Sequence, residues 1–282
     1  MNSLKTAVLM AALAGILIVL GNYFWGMPGI IFAGGLALVI NLVSYFNSDK
    51  IVLAMYRAKE VPPGENPDLH AMVAEVAAHA GLPKPRVFVV PSAVPNAFAT
   101  GRNPAHSVVA VTEGILKLLK REELKGVIAH EMSHIKNRDI LISTIAATAA
   151  TAITMLANML SMAALFGGGG RNRRGGGGLE MLALAILAPV AAALVQMAIS
   201  RSREYAADQS AAGLTGNPLG LADALTKLAR GNQIAGGMAS PTTAHMFTVS
   251  SVRGGSFASL FSTHPPFEER VRRLHKMAGL AA

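Results

Sequence analysis

Two long stretches of this chain carry almost no charge, and they constrain its fold more than any other feature. Over residues 1–46 the only charged side chain is Lys5; over 140–200 there are only Arg171, Arg173, Arg174 and Glu180. A helix that crosses a bilayer needs about 20 mostly apolar residues, because lipid solvates neither charge nor unpaired backbone. Each stretch has room for two such helices. The first reads as a hairpin. Residues 6–20 are continuously apolar, Tyr23, Phe24 and Trp25 form an aromatic cluster suited to a lipid interface, and Gly26-Met27-Pro28-Gly29 is a turn before 30–46 returns. A cleaved signal peptide fits less well, since no small-x-small site follows the apolar core and a second apolar stretch comes at once. In the second stretch a glycine–arginine loop, 167–178, separates 140–166 from 179–200. Residues 140–166 are rich in Ala and Thr and suit either a spanning helix or a buried bundle helix, with spanning favoured.

The remaining parts, 47–139 and 201–282, hold most of the charge. In the first, Asn66 is placed to cap a helix, Pro67 fits its first turn, and Leu69, Val73, Val76 and Ala80 form its apolar stripe. Gly81 and Pro83 stop it. Short extended runs at 86–90, 97–100 and 107–111, separated by Pro and Gly turns, predict a small sheet. The domain organisation expected is therefore a membrane hairpin (1–46), a first soluble part (47–139), two apolar helices (140–200) and a second soluble part (201–282).

Chemistry enters at HEMSH, residues 130–134. On a helix His130 and His134 share one face and can grip one ion together, while Glu131 lies beside them, able to take a proton from an attacking water. Leu124, Val127, Ile128 and Ile135 make an apolar helical stripe, and charges flank the motif on both sides. That predicts an amphipathic helix in contact with water, not one deep in lipid. The extended pattern with a third histidine is absent, since positions 137 and 140 are Asn137 and Ile140. The acids beyond Asp139 are Glu180, Glu204, Asp208, Asp223, Glu268 and Glu269. Glu204 and Asp208 stand one helical turn apart, so one can ligate the metal while the other accepts the second N–H of a ligating imidazole. The alternative for Glu204 is an ion pair with Arg201 or Arg203, which leaves the metal two ligands. Imidazole plus carboxylate makes one Zn²⁺ per chain the leading choice.

The chain has no cysteine, which excludes thiol catalysis and a disulfide framework. Its formal net charge of +9 on a sequence that is 52% hydrophobic suits contact with anionic lipid better than with nucleic acid. One short Gly/Arg tract without interleaved aromatics is a poor nucleic-acid motif.

HEMSH together with EYAAD at 204–208, PNAFATG at 95–101, VTEGIL at 111–116 and STHPPFEER at 262–270 resembles the HtpX-type integral-membrane zinc metalloproteases, relatives of the CaaX prenyl endopeptidase. The resemblance covers essentially the whole chain. It implies a mainly α protein with about four membrane helices and a gluzincin-like α+β catalytic domain carrying a small sheet. It further implies an endopeptidase in the cytoplasmic membrane, its site facing the cytosol, that cleaves misfolded or damaged membrane proteins. By the same resemblance His264 and Arg270 look like stabilisers of the substrate carbonyl and oxyanion, and Asn96-Ala97-Phe98 like a substrate-binding edge strand. The plainer alternatives are a capping His264, an Arg270 paired with a nearby acid, and an ordinary Pro-bounded strand. Processing of prenylated or other membrane-anchored peptides is the rival activity, although four spans are few for a large chamber. An intramembrane protease would carry HExxH within an apolar span, and a membrane scaffold would leave HEMSH with Glu204 and Asp208 unexplained.

Overall fold

The computed structural model describes residues 2–139, 201–234 and 265–280. The expected helices over 140–200, their loop at 167–178, and His264 lie outside the described residues.

Helix α1 (Asn2–Met55) is broken twice, at Gly26 (φ 61, ψ −139) and at Asn47 (φ −118, ψ 20). Gly26 takes a positive φ that only glycine adopts cheaply. The Asn41 side-chain amide donates to the Met10 carbonyl at 3.3 Å, and Leu17 packs with Ala33 and Ala37. These partners lie at matched distances before and after Gly26, so the chain doubles back there as an antiparallel hairpin. Among the described residues one helix, Gly26–Asn47, is long and apolar enough to cross a membrane, against about four expected over the whole chain. Its Ile31, Phe32, Leu38 and Val39 side chains are exposed.

Among the described residues four strands follow: β1 (Lys59–Glu60), β2 (Arg86–Val90), β3 (Ala97–Gly101) and β4 (Ser107–Thr112). They order as β1-β2-β4-β3, with β2 parallel to β4 and the outer pairs antiparallel. β1 has too few residues to show alternation in the sequence; a bidentate Arg86–Glu60 pair at 2.9 and 2.8 Å fastens it. Side chains alternate across the sheet. Val87, Ala97, Ala99, Val109 and Val111 face the helical core, whereas Phe88, Val90, Phe98, Val108 and Ala110 pack on Val52 and Leu53 at the end of α1. A fully buried Phe such as Phe98 stabilises by about 1.5–3 kcal/mol, so this second face binds the part of α1 after Asn47 firmly to the sheet.

The other helices among the described residues are α2 (Pro67–Ala80), α3 (Glu113–Leu118), α4 (Arg121–Lys136), α5 (Arg201–Thr215), α6 (Pro218–Ile234) and α7 (Phe267–Met277). In α2 the Asn66 side chain accepts from Leu69 N–H at 3.2 Å, and Gly81 at φ 68 closes the helix, as its sequence predicts. The HEMSH helix, α4, departs from expectation. It is not a water-facing amphipathic helix: every residue from Gly126 to Ser133 is buried, with α2, α5, α6 and β3 packed around it. Small residues on its otherwise polar face permit this. At Gly126 an added Cβ would stand 2.8 Å from the Leu221 backbone nitrogen of α6, so only glycine lets the two helices approach so closely.

Candidate active site

One turn of α4 separates His130 from His134, and their rings meet edge to face with centroids 4.8 Å apart. Their Nε2 atoms lie 3.2 Å from each other. From α5, Glu204 reaches in with Oε2 3.6 Å from His130 Nε2 and Oε1 3.5 Å from His134 Nε2. These three donor atoms all lie within 4.8 Å of one another. For ligand bonds of 2.0–2.1 Å the edge of a tetrahedron is about 3.3–3.4 Å, which the 3.2 Å between the two Nε2 atoms approaches, and each Nε2 faces one of the two Glu204 oxygens. The ion-pair alternative for Glu204 loses its nearer partner, because Arg203 turns to Asp139 at 3.6 Å.

Asp208, one turn beyond Glu204, stands 2.9 Å from His130 Nδ1. Such a carboxylate keeps the proton on Nδ1 and leaves Nε2 as a lone-pair donor. His134 has an equivalent that sequence reasoning missed. Asp139 Oδ2 lies 3.3 Å from His134 Nδ1. No sequence signal marked it: the non-glycine Arg138 is held at φ 57 just past the helix, a turn after which Asp139 meets His134.

Arg270, on α7, is 1% exposed. It donates from Nε and Nη2 to the two oxygens of Asp208 at 2.8 and 2.7 Å, with Nη2 also 3.4 Å from His130 Nδ1 and Nη1 3.9 Å from Glu204. The guanidinium therefore clamps Asp208 behind the histidine, which is the arginine–acid pairing that the sequence offered as its plainer alternative. Burial works against the Asp208 charge, yet Arg270 and His130 hold its carboxyl down at about 2. Burial likewise opposes a charge on His130, but the hydrogen bonds to Asp208 and Glu204 prevail and push the imidazole up to about 9 without metal. Zinc must displace that proton. Zinc affinity, measured by competition with a chelator, should therefore rise close to tenfold per pH unit between about pH 7 and about pH 8, and level off above about pH 9. A flat profile would show that His130 is already neutral in the metal-free protein.

Glu131 is buried beside the triad and is not among the three grouped donors. Its Oε2 accepts the backbone N–H of Ala99 at 3.0 Å. Among the described residues β3 is the end strand of the sheet, and all five of its residues are buried. Of the predicted trio, Asn96 is tied to β4 through Thr112 (N–H to Oγ1, 2.9 Å), Ala97 faces the helical core, and Phe98 points to the opposite face against Tyr56. Ala99, outside that trio, makes the contact with Glu131; its strand parity, not its side chain, was the available clue.

Comparison with known proteins agrees with this geometry. A model of peptidase family M48 matches residues 63–278. The chain is 52% identical over 282 residues to a "Protease HtpX homolog" of Persephonella marina, covering 99% of this chain and 98% of that one. It is 55% identical over 282 residues to a protein of the same description from Syntrophotalea carbinolica (99% and 100% covered), and 51% identical over 277 residues to one from Pyrococcus furiosus (97% and 95% covered). Among solved structures, S. mikatae Ste24p shares the fold with a TM-score of 0.55 at 19% identity, over 97% of this chain and 65% of that longer chain. Two histidines and a glutamate whose donor atoms lie within 4.8 Å of one another, inside a match that spans most of the sequence, have one reading: the chain belongs to peptidase family M48 and is a zinc metalloprotease.

Proposed function

We propose that this chain is an integral-membrane endopeptidase that degrades misfolded or damaged membrane proteins, with its site on the cytosolic side of the cytoplasmic membrane. The observation that carries the reading is the Glu131 carboxylate resting on the Ala99 backbone N–H beside the His130, His134 and Glu204 donors, in a domain whose sheet packs on the segment that continues the apolar hairpin. His130, His134 and Glu204 hold the ion. When bound, zinc lowers the pKa of a water molecule to near neutrality and polarises the substrate carbonyl. Glu131 takes the proton of that water as a carbon–oxygen bond forms, and delivers it to the departing amine as the carbon–nitrogen bond breaks. Asp208 and Asp139 keep the two imidazoles in the donating tautomer. His264 is the residue we assign to the substrate carbonyl. Asn96, Ala97 and Phe98 belong to the strand along which an extended peptide adds by main-chain hydrogen bonds, so recognition is broad.

The test uses full-length enzyme in vesicles, offered casein, a heat-damaged membrane protein and a prenylated peptide. Glu131-dependent cleavage of the first two is expected. Cleavage of the prenylated peptide alone would overturn degradation in favour of processing. Sidedness is checked separately. Lys50, Arg57 and Lys59 follow the apolar hairpin closely, and positive residues near a span stay in the cytosol. The absence of native cysteine gives a clean background, so a lone cysteine at Asp68, which is 91% exposed, should resist an impermeant thiol reagent until the inner membrane is opened. Labelling in intact cells with a permeable outer membrane would place the catalytic domain outside.

A further inference from the structure

We propose that Arg203 is a positioning residue of the zinc site: it holds one oxygen of Asp139, so that the other stays aimed at His134 Nδ1 and the ring keeps Nε2 turned towards the metal. Arg203 Nη1 stands 3.6 Å from Asp139 Oδ1, and Asp139 Oδ2 lies 3.3 Å from His134 Nδ1. The carboxylate is thus divided between a cation and an imidazole, one oxygen to each. Asp139 needs such a hold for a reason of backbone. Asp208 sits within helix α5, and Arg270 fixes both of its oxygens. Asp139 lies beyond the end of α4, across a turn in which Arg138 takes φ 57.

Helix α5, packed on α4, supplies the hold from the same side as the ligand. Successive residues of a helix point about 100° apart, so Arg203 and its neighbour Glu204 diverge. Glu204 Oε1 comes within 3.5 Å of His134 Nε2, while Arg203 goes to the Asp139 behind Nδ1. One helix therefore reaches both ring nitrogens of His134, the first directly and the second through Asp139. It treats His130 in the same way, with Glu204 at Nε2 and Asp208 at Nδ1.

The energetics of a buried guanidinium speak against a merely stabilising pair. The Arg203 side chain is 15% exposed, both of its Nη atoms are buried, and among the described residues neither has a hydrogen-bond partner. An ion pair with so few hydrogen bonds rarely outweighs the desolvation of its charges, and apolar residues of similar volume commonly replace it without loss of stability. Stability gives no reason for an arginine here. Aiming the Asp139 carboxylate does.

The test measures zinc affinity of the full-length, detergent-purified protein by competition with a chelator, beside the unfolding midpoint without metal. Asp139→Leu should weaken zinc binding by roughly ten- to a hundredfold. Arg203→Met acts one step farther from the metal and over a longer contact, so it should weaken binding by about tenfold. Arg203→Lys keeps the charge but not the planar fork and should recover part of that loss. The double variant, Arg203→Met with Asp139→Leu, removes the buried pair whole. It should unfold no more readily than wild type, yet bind zinc no better than Asp139→Leu alone and no worse. Wild-type zinc affinity in Arg203→Met, or a loss that multiplies the one caused by Asp139→Leu, would overturn the assignment. If Arg203→Met alone fails to fold, Arg203→Lys decides in its place: a several-fold loss of affinity upholds the positioning role, and wild-type affinity overturns it.

Discussion

Replacing Glu131 with Gln should lower peptide-bond cleavage by at least about a hundredfold while the protein keeps about one zinc per chain. Glu131 stands outside the triangle of His130 Nε2, His134 Nε2 and Glu204, so the ion does not depend on it. A glutamine oxygen can still accept the Ala99 N–H, so β3 stays in place. What the amide cannot do is accept the proton of the attacking water, and general-base catalysis is worth about 10²–10⁴ in rate. His134→Ala and Glu204→Ala should behave in the opposite way, losing metal and activity together, because two remaining donors hold zinc weakly. Metal content of the detergent-purified variants, measured beside casein cleavage, separates the two patterns. Normal turnover by the Gln variant would remove Glu131 from the mechanism, and full occupancy in Glu204→Ala would remove Glu204 from the ligand set.

Local chemistry was legible in the sequence, and long-range chemistry was not. Asn66, Pro67 and Gly81 announced α2 because caps act within one turn, and the Pro and Gly punctuation around 86–112 placed three strands to within a residue. HEMSH and the spacing of Glu204 to Asp208 likewise follow from helix geometry alone. The burial of α4 could not be seen, because it depends on how closely α6 approaches Gly126, a property of the partner helix. Nor could the use made of Val52 and Leu53. They look like the frayed end of an apolar helix, yet they cover the second face of the sheet. Asp139 was read as flanking charge because its return to His134 depends on the backbone of Arg138.

Arg270→Ala should destabilise the protein by about 3–5 kcal/mol and weaken zinc binding by roughly ten- to a hundredfold. The first effect arises because Asp208, also buried, loses both charge-assisted hydrogen bonds and remains as an uncompensated carboxylate. The second arises because Asp208 then stops orienting His130, with which it is in contact at 2.9 Å. Arg270→Lys keeps the charge but not the planar fork, so it should recover only part of each loss. Acid sensitivity gives an independent check. A carboxyl held at about 2 stabilises the fold fully above its unfolded value of about 4, and that contribution is lost as pH falls towards 2. Removing Arg270 should raise the pH at which the protein unfolds, and a double variant with Asp208→Ala should be less damaged than the two single losses added together. An arginine acting on the oxyanion gives another pattern: turnover down about a hundredfold, with zinc and the unfolding midpoint untouched. That pattern would mean the guanidinium leaves Asp208 when substrate binds. The clamp requires instead that metal, stability and activity fall together, since Arg270 holds Asp208 at 2.7 Å and Asp208 in turn holds the ligand His130 at 2.9 Å.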